Sequence, residues 1–279
     1  MAKMIGEAAR YATNQSIRIF QRMLITTMLL IGAIGVFEGV DFSVIVLRWG
    51  QTGWTYIGFA LLGLVGAFYL CRYQSRRIDQ YERERKNWRK GAAGECMVAD
   101  VLGALSDDYS IINDVTTASG NLDHVVVGPT GVFAIETKNW RGLISSNGNG
   151  ELKQNGEQTE KPEVWNFVRR LMAVREQILA LTRRNDLFIK AVMVFPRARV
   201  DAPFGTTSHV HCLTDESLCD YIEDPKYARK LNPKEVDQIV RAIKGIAEMD
   251  AGFSTAATAA VLRVKPDPAI VAAVASNRT

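Results

Sequence analysis

The 279-residue chain has only four cysteines, Cys71, Cys96, Cys212 and Cys219. Their spacing forms no paired pattern, which argues against the disulfide frame of a small secreted domain, and free thiols are expected. No internal repeat is visible. Net charge is a modest +4 at pH 7, so its distribution matters more than its total. Charge is most plainly missing from two stretches, MLITTMLLIGAIGVFEGV (residues 23–40) and WTYIGFALLGLVGAFYLC (residues 54–71), where Glu38 is the one charged residue.

Each stretch approaches the roughly 18 to 20 apolar residues that cross about 30 Å of hydrocarbon as a helix. Runs apolar on every side suit lipid better than the one-sided core of a soluble domain. The expectation is an integral transmembrane hairpin over 23–71. Lys3, Arg10, Arg18 and Arg22 precede it and Arg72, Arg76 and Arg77 follow, whereas the loop carries Glu38, Asp41 and only Arg48. By the positive-inside rule both termini and the soluble domain face the cytoplasm at the cell membrane. Trp49, Trp54 and Tyr56 would then mark the outer interface, and Tyr69 and Tyr73 the inner one. The late start of the first run and the lack of an A-x-A site speak against a cleaved signal.

The predicted organisation is a cytoplasmic N-terminal segment (1–22), the hairpin (23–71), a basic juxtamembrane helix (72–92), a folded domain (93–250) and a flexible tail (251–279) rich in Ala, Ser, Thr and Pro. The juxtamembrane stretch pairs Asp79 with Arg83 and Glu82 with Arg85 and Lys86 at helical spacing, and its basic surplus favours anionic headgroups. Within the folded domain, periodicity predicts helices at 93–105, 164–182, 216–222 and 233–249. Strands are predicted at 109–115, 122–128, 131–138, 188–195 and 209–213. That order makes an α/β or α+β fold with a mixed sheet.

In the strand 131–138, alternation puts Val132, Ala134, Glu136 and Lys138 on one face and Phe133, Ile135 and Thr137 on the other. The turn Gly128-Pro129-Thr130-Gly131 makes a hairpin that sets Asp123 near Glu136. Two carboxylates converging at a sheet edge suit a hard divalent cation that retains waters. A lysine beside them can orient an attacking water and meet charge on a phosphoryl oxygen. Alone, an exposed Glu-x-Lys pair on an edge strand usually marks a solvated face.

The segment 94–144 resembles the nuclease-related domain (NERD), a branch of the PD-(D/E)xK nuclease superfamily. The resemblance is carried by Gly94-Glu95, Asp114-Val115, Leu122-Asp123-His124-Val125-Val126-Val127-Gly128-Pro129, Gly131-Val132-Phe133, Ile135-Glu136-Thr137-Lys138-Asn139 and Gly142-Leu143-Ile144. It implies a restriction-endonuclease-like mixed sheet flanked by helices. It also implies that Asp123 and Glu136 bind Mg²⁺ or Mn²⁺, that Lys138 is the catalytic lysine, and that Glu95 is a helix-borne acid directed at the same site. The implied partner is nucleic acid, DNA ahead of RNA, and the implied chemistry is phosphodiester hydrolysis. Family members often open the next helix with Asn-Pro-x-x-Gln, where this chain reads Lys161-Pro162-Glu163-Val164-Trp165. The missing Asn and Gln motivate a second reading, a catalytically inactive membrane adaptor that binds nucleic acid or protein.

His124, adjacent to Asp123, points to the opposite face and reads as a packing or hydrogen-bonding residue. His209, His211, Cys212 and Cys219 lack a paired zinc-ligand spacing. Lys138, Arg141, Lys153, Arg169, Arg170, Arg183 and Arg184 could meet phosphate, but only Lys138 is singled out.

Overall fold

A long apolar segment has no water for its backbone donors and acceptors in a membrane, so it must satisfy them internally. Both apolar runs are helical. A computed structural model of the chain describes residues 1–47, 53–117, 120–201, 210–227 and 231–261, with side chains described outside 37–57, 59–60, 227 and 249–261. Helix α1 spans Arg10–Leu47 and helix α2 spans Gly53–Leu102. Within α1, Arg10–Val36 is long and apolar enough to cross a membrane. Leu24, Ile25, Met28, Leu29, Ile31 and Val36 are all exposed there.

The expected second span, 54–71, lies within α2. The side chains of Trp54 and Tyr56 are outside the described residues, as are those of Glu38, Asp41, Arg48 and Trp49. The described residues thus contain one candidate span. Leu61, Leu62, Leu64, Val65 and Phe68 of α2 are exposed apolar residues, with Tyr69 and Tyr73 beyond them.

The chain divides into two units, Arg10–Ala93 and, separately, Met1–Ala9 with the chain from Gly94. In the first unit α1 starts well before the apolar run. Ala12, Ser16 and Ile19 are buried at helical spacing, Tyr11 meets Trp88 edge-on at 5.9 Å, and the Arg85 guanidinium lies 5.5 Å from the Phe20 ring centre. This packing makes residues 10–22 helical, where a separate N-terminal segment was expected. Arg85 also grips Glu82 through two contacts of 2.9 and 3.1 Å, the helical pairing expected from the sequence.

In the second unit a six-stranded sheet runs β1(Lys3–Ile5), β2(Ser110–Thr117), β3(Gly120–Gly128), β4(Gly131–Thr137), β8(Ile189–Val194), β10(Val210–Leu213), in that spatial order. The β2, β3 and β4 strands pair antiparallel, while β1 joins β2, β8 joins β4, and β10 joins β8 in parallel. The sheet is therefore mixed, and helices cover both of its faces. Val125, Val127, Val132 and Ala134 pack with Phe167, Leu171 and Ile178 of α3(Glu163–Thr182) and with Ile239 and Ile243 of α5(Pro233–Val261). Val126, Phe133 and Ile135 pack with Val98 and Leu102 of α2 and with Leu218 and Ile222 of α4(Leu218–Glu223). Burial on both faces explains why β3 and β4 read as nearly continuous apolar runs.

Four features depart from the expected organisation. The first residues, assigned to the N-terminal segment, supply β1. The juxtamembrane stretch and the helix predicted at 93–105 are one helix, because 91–94 (Gly-Ala-Ala-Gly) holds no proline to break it. The region between β4 and α3 builds a second sheet in the order β7(Glu157–Gln158), β6(Leu152–Gln154), β5(Gly142–Ser146), β9(Ala198–Asp201), with an Asn155-Gly156 turn, both residues at positive φ, linking β6 to β7. Finally, α5 continues to Val261, past the expected start of the tail; residues 262–279 lie outside the described residues.

Candidate active site

The register of the β3–β4 hairpin is set by its turn, with Gly128 opposite Gly131 and His124 opposite Ile135. The next position along the same register places Asp123 opposite Glu136. On its other side β3 faces β2, where Asp114 stands between the pairs Asn113 with His124 and Val115 with Leu122, beside Asp123. Asp114 is buried and has φ 57, a left-handed conformation uncommon outside glycine and of the kind that concentrates at functional positions. Three strands thus bring three acids into one row.

β4 lies in the middle of the sheet, so the expected sheet-edge location is corrected. The acids sit towards the strand ends, flanked by β3 and β8, because β8 adds in parallel to β4. Glu136 is only 6% exposed, which removes the reading of a solvated face. Backbone order supports the row: the Thr137 amide donates to Asp123 Oδ2 at 2.7 Å, and the Lys138 amide to the Val194 carbonyl at 2.8 Å.

Glu95 joins from α2, where it is buried. Its helix can approach because residue 94 is glycine; a Cβ there would lie 2.7 Å from Asn139 Cβ on the segment after β4. Burial first, then the charges of Asp114 and Glu136, push the Glu95 carboxyl up to about 7 against the opposing pull of Lys138. Burial and the charges of Glu136 and Glu95 likewise raise Asp123 well above the usual carboxylate range, against the Thr137 hydrogen bond. Carboxylates crowded this way favour any added cation.

Two cations reach Glu136, both on the same oxygen. Lys138 Nζ lies 3.0 Å from Oε1 and Arg170 Nη2 lies 2.7 Å from it. Lys138 also contacts Glu163 Oε2 at 2.8 Å. Burial pulls the lysine down, but Glu136 and Glu163 outweigh it and hold the ammonium charged, above its ordinary range. Glu136 Oε2 and Glu95 Oε2 are buried with no hydrogen-bond partner. Orphaned acceptors within an acidic row fit a divalent ion, since Mg²⁺ takes oxygen ligands and needs only one or two carboxylates with its waters. Among the described residues no group of three or more His, Cys, Asp or Glu side chains is placed to hold a metal ion, so an ion here would rest on a carboxylate pair and water.

The four sequence-predicted site residues, Glu95, Asp123, Glu136 and Lys138, act on one another electrostatically in one place. Arg170 was only one of several basic residues; it follows Phe167 and precedes Leu171 on the inward stripe of α3, a position where a charged residue should have drawn notice. Glu163 was hidden as an ordinary first-turn acid. Of the other basic residues, Arg169 lies over Trp165 at 5.1 Å, Arg184 contacts Glu235 at 2.8 Å, and Arg183 is the left-handed cap of α3. His124 is buried and bonded through Nδ1 to Asn113 Oδ1 at 2.8 Å, and burial holds it near 4. His211 packs on Tyr221 at 4.8 Å and Cys219 Sγ donates to the Val101 carbonyl at 3.3 Å; His209 lies outside the described residues.

The stretch Lys161-Pro162-Glu163-Val164-Trp165 lacks the expected Asn, yet α3 is capped. Glu151, from the loop before β6, accepts from the Val164 amide at 3.0 Å and the Trp165 amide at 2.9 Å. A carboxylate there satisfies two orphan donors and favours the positive end of the helix dipole. Beside Glu163 opens a groove of about 390 Å³ lined by Trp140, Gln158, Thr159 and Lys161. A larger cavity of about 730 Å³ between α3 and α5 holds none of the site residues.

Residues 90–196 match the family model of the nuclease-related domain. Glu95, Asp114, Asp123, Glu136, Lys138, Glu163 and Arg170 all fall inside the matched residues. An uncharacterized protein of Bacillus anthracis is 43% identical over 61 residues, which cover 20% of this chain and 29% of that protein's length. No solved structure matches the chain. A nuclease-related domain suggests nuclease-like function and interaction with nucleic acid, and the apolar helix is a weak pointer to a membrane.

Proposed function

We propose that the chain is a membrane-anchored nuclease that hydrolyses nucleic-acid phosphodiesters with Mg²⁺ or Mn²⁺ on the cytoplasmic side, with DNA ahead of RNA. The observation that carries this reading is the meeting of Glu95, Asp123, Glu136 and Lys138 in a nuclease-related domain, with Glu95 Oε2 and Glu136 Oε2 buried and unpartnered. Asp123 and Glu136 would hold the ion. When bound, it supplies an acidified water and neutralises charge on the phosphoryl group. Lys138, kept charged between Glu136 and Glu163, would meet a phosphoryl oxygen and orient the water. A charged ammonium cannot act as the base, so its role is electrostatic.

Purified full-length protein in detergent, incubated with DNA and with RNA with and without Mg²⁺ or Mn²⁺, tests the chemistry. Metal-dependent cleavage that Asp123→Ala abolishes is expected; metal-independent cleavage, or equal cleavage by Asp123→Ala, overturns the assignment.

Anchoring is proposed through two spans, 23–40 and 54–71, with both termini cytoplasmic. The exposed apolar side chains on α1 and α2 and the flanking arginines support it. Resistance to alkaline carbonate extraction is expected, and a reporter fused at the C-terminus should be active only in its cytoplasmic form. Release by carbonate, or a reporter active outside, contradicts the anchored orientation.

A further inference from the structure

The contact between Arg170 and Glu136 is lopsided. A guanidinium facing a carboxylate prefers two parallel bonds, one to each oxygen. Here Arg170 Nη2 reaches Oε1 at 2.7 Å, and Lys138 reaches the same Oε1 at 3.0 Å. Glu136 Oε2 and Arg170 Nε are both buried without a hydrogen-bond partner. Leaving two such atoms unpaired is costly, by roughly 1–3 kcal/mol each. A simple charge-neutralising pair would rotate into the fork and remove both defects.

The arginine is also given room. Its stem passes over Gly120, at the start of β3, where a Cβ would lie 2.5 Å from Arg170 Cδ, and where φ is +125. Position 120 thus admits this side chain only as glycine. Arg170 therefore threads past β3 to a single oxygen of a single carboxylate.

We propose that Arg170 is a positioning residue for Glu136: with Lys138 it holds Oε1 and leaves Oε2 as the oxygen available to a divalent cation. This rests on the metal-dependent reading above. Ligating carboxylates are commonly fixed through hydrogen bonds to the group that does not ligate, and loss of such a partner typically weakens metal binding by roughly 10–100-fold.

The sign separates this role from the alternative. If Arg170 merely competed with a cation for Glu136, its removal would tighten cation binding, as Coulomb's law requires for a lost positive charge. If it positions Glu136, its removal weakens binding despite that lost repulsion.

The test is Mn²⁺ affinity of the full-length protein in detergent, by isothermal titration calorimetry and by the electron paramagnetic resonance signal of free Mn²⁺. Arg170→Gln is expected to weaken Mn²⁺ binding about 10–100-fold, and Arg170→Lys to recover part of that loss by restoring a donor to Oε1. Unchanged or tighter binding by Arg170→Gln overturns the proposal. Circular dichroism and thermal unfolding report whether Arg170→Gln folds; if it does not, Arg170→Met, which keeps the length of the stem and removes the donor, decides in its place, with weakened binding expected and unchanged or tighter binding overturning the idea. Asp123→Ala is the parallel control. Binding unaffected by Asp123→Ala, or none by the unaltered chain, overturns the metal reading itself. Binding that needs Asp123 but ignores Arg170 overturns only the role of Arg170.

Discussion

Replacing Glu95 by Gln should stabilise the metal-free protein, and only at neutral to alkaline pH. The folded site raises this carboxyl from 4.5 to about 7, through burial and then through Asp114 and Glu136. A raised carboxyl binds its proton more tightly in the folded state than in the unfolded one. Its favourable contribution is complete below pH 4.5 and is lost as the pH rises through about 7. The difference between those two values corresponds to about 3 kcal/mol. Gln has nearly the same shape and never ionises, so Glu95→Gln escapes the loss. At pH 8 in EDTA the variant should be more stable by up to about 3 kcal/mol, which is roughly 6–12 °C in Tm for a domain of this size. At pH 5 the two proteins should differ by less than about 1 kcal/mol. Thermal unfolding by circular dichroism at both pH values reads the effect. No gain at pH 8, or the same gain at pH 5, refutes the crowding of Glu95 by Asp114 and Glu136.

Further expectations concern the surroundings. His124 is held neutral near 4 by burial, so its contribution is present above pH 6.5 and is lost as the pH falls towards 4, by about 3 kcal/mol; relative to His124→Gln, which shares every other titrating group, the unaltered chain should lose that stability between pH 6.5 and 4 in unfolding curves, and a difference that does not change with pH would contradict it. Gly94→Ala sets a Cβ 2.7 Å from Asn139 Cβ and should cost about 1–3 kcal/mol, whereas Gly91→Ala, in open space on the same helix, should stabilise by about 0.5–1 kcal/mol; equal Tm changes would show that the close approach is not real. Glu151→Ala removes the acceptor of two α3 amides and should lower stability by about 1 kcal/mol, measurable by urea unfolding.

Much of the fold is written locally. The alternation in β4, the α3 stripe and the Gly-Pro-Thr-Gly turn need only neighbouring residues, so those elements and the closeness of Asp123 to Glu136 are legible in the sequence. A four-residue turn brings positions 123 and 136 together whatever the rest of the chain does. The second sheet escapes because its strands have between two and five residues, too short for a period, although the Asn155-Gly156 pair is a hairpin signal.

What the sequence by itself determined is the two apolar helices, the succession of β2, β3, β4, α3, β8, β10, α4 and α5 along the chain, and the charged groups of β3 and β4, because each follows from the spacing of neighbouring side chains. Only the tertiary structure decided that β4 is interior, that Asp114 stands beside Asp123, and that Glu163 and Arg170 come in from α3, whereas Glu95 was expected at the site only through the family resemblance. Those contacts depend on how layers pack, with a missing Cβ at Gly94 and Gly120 admitting the approach. The charge balance of the site is set by these distant partners: burial and like charges raise Glu95 and Asp123, while Glu136 and Glu163 keep Lys138 ionised. No window along the chain contains them all.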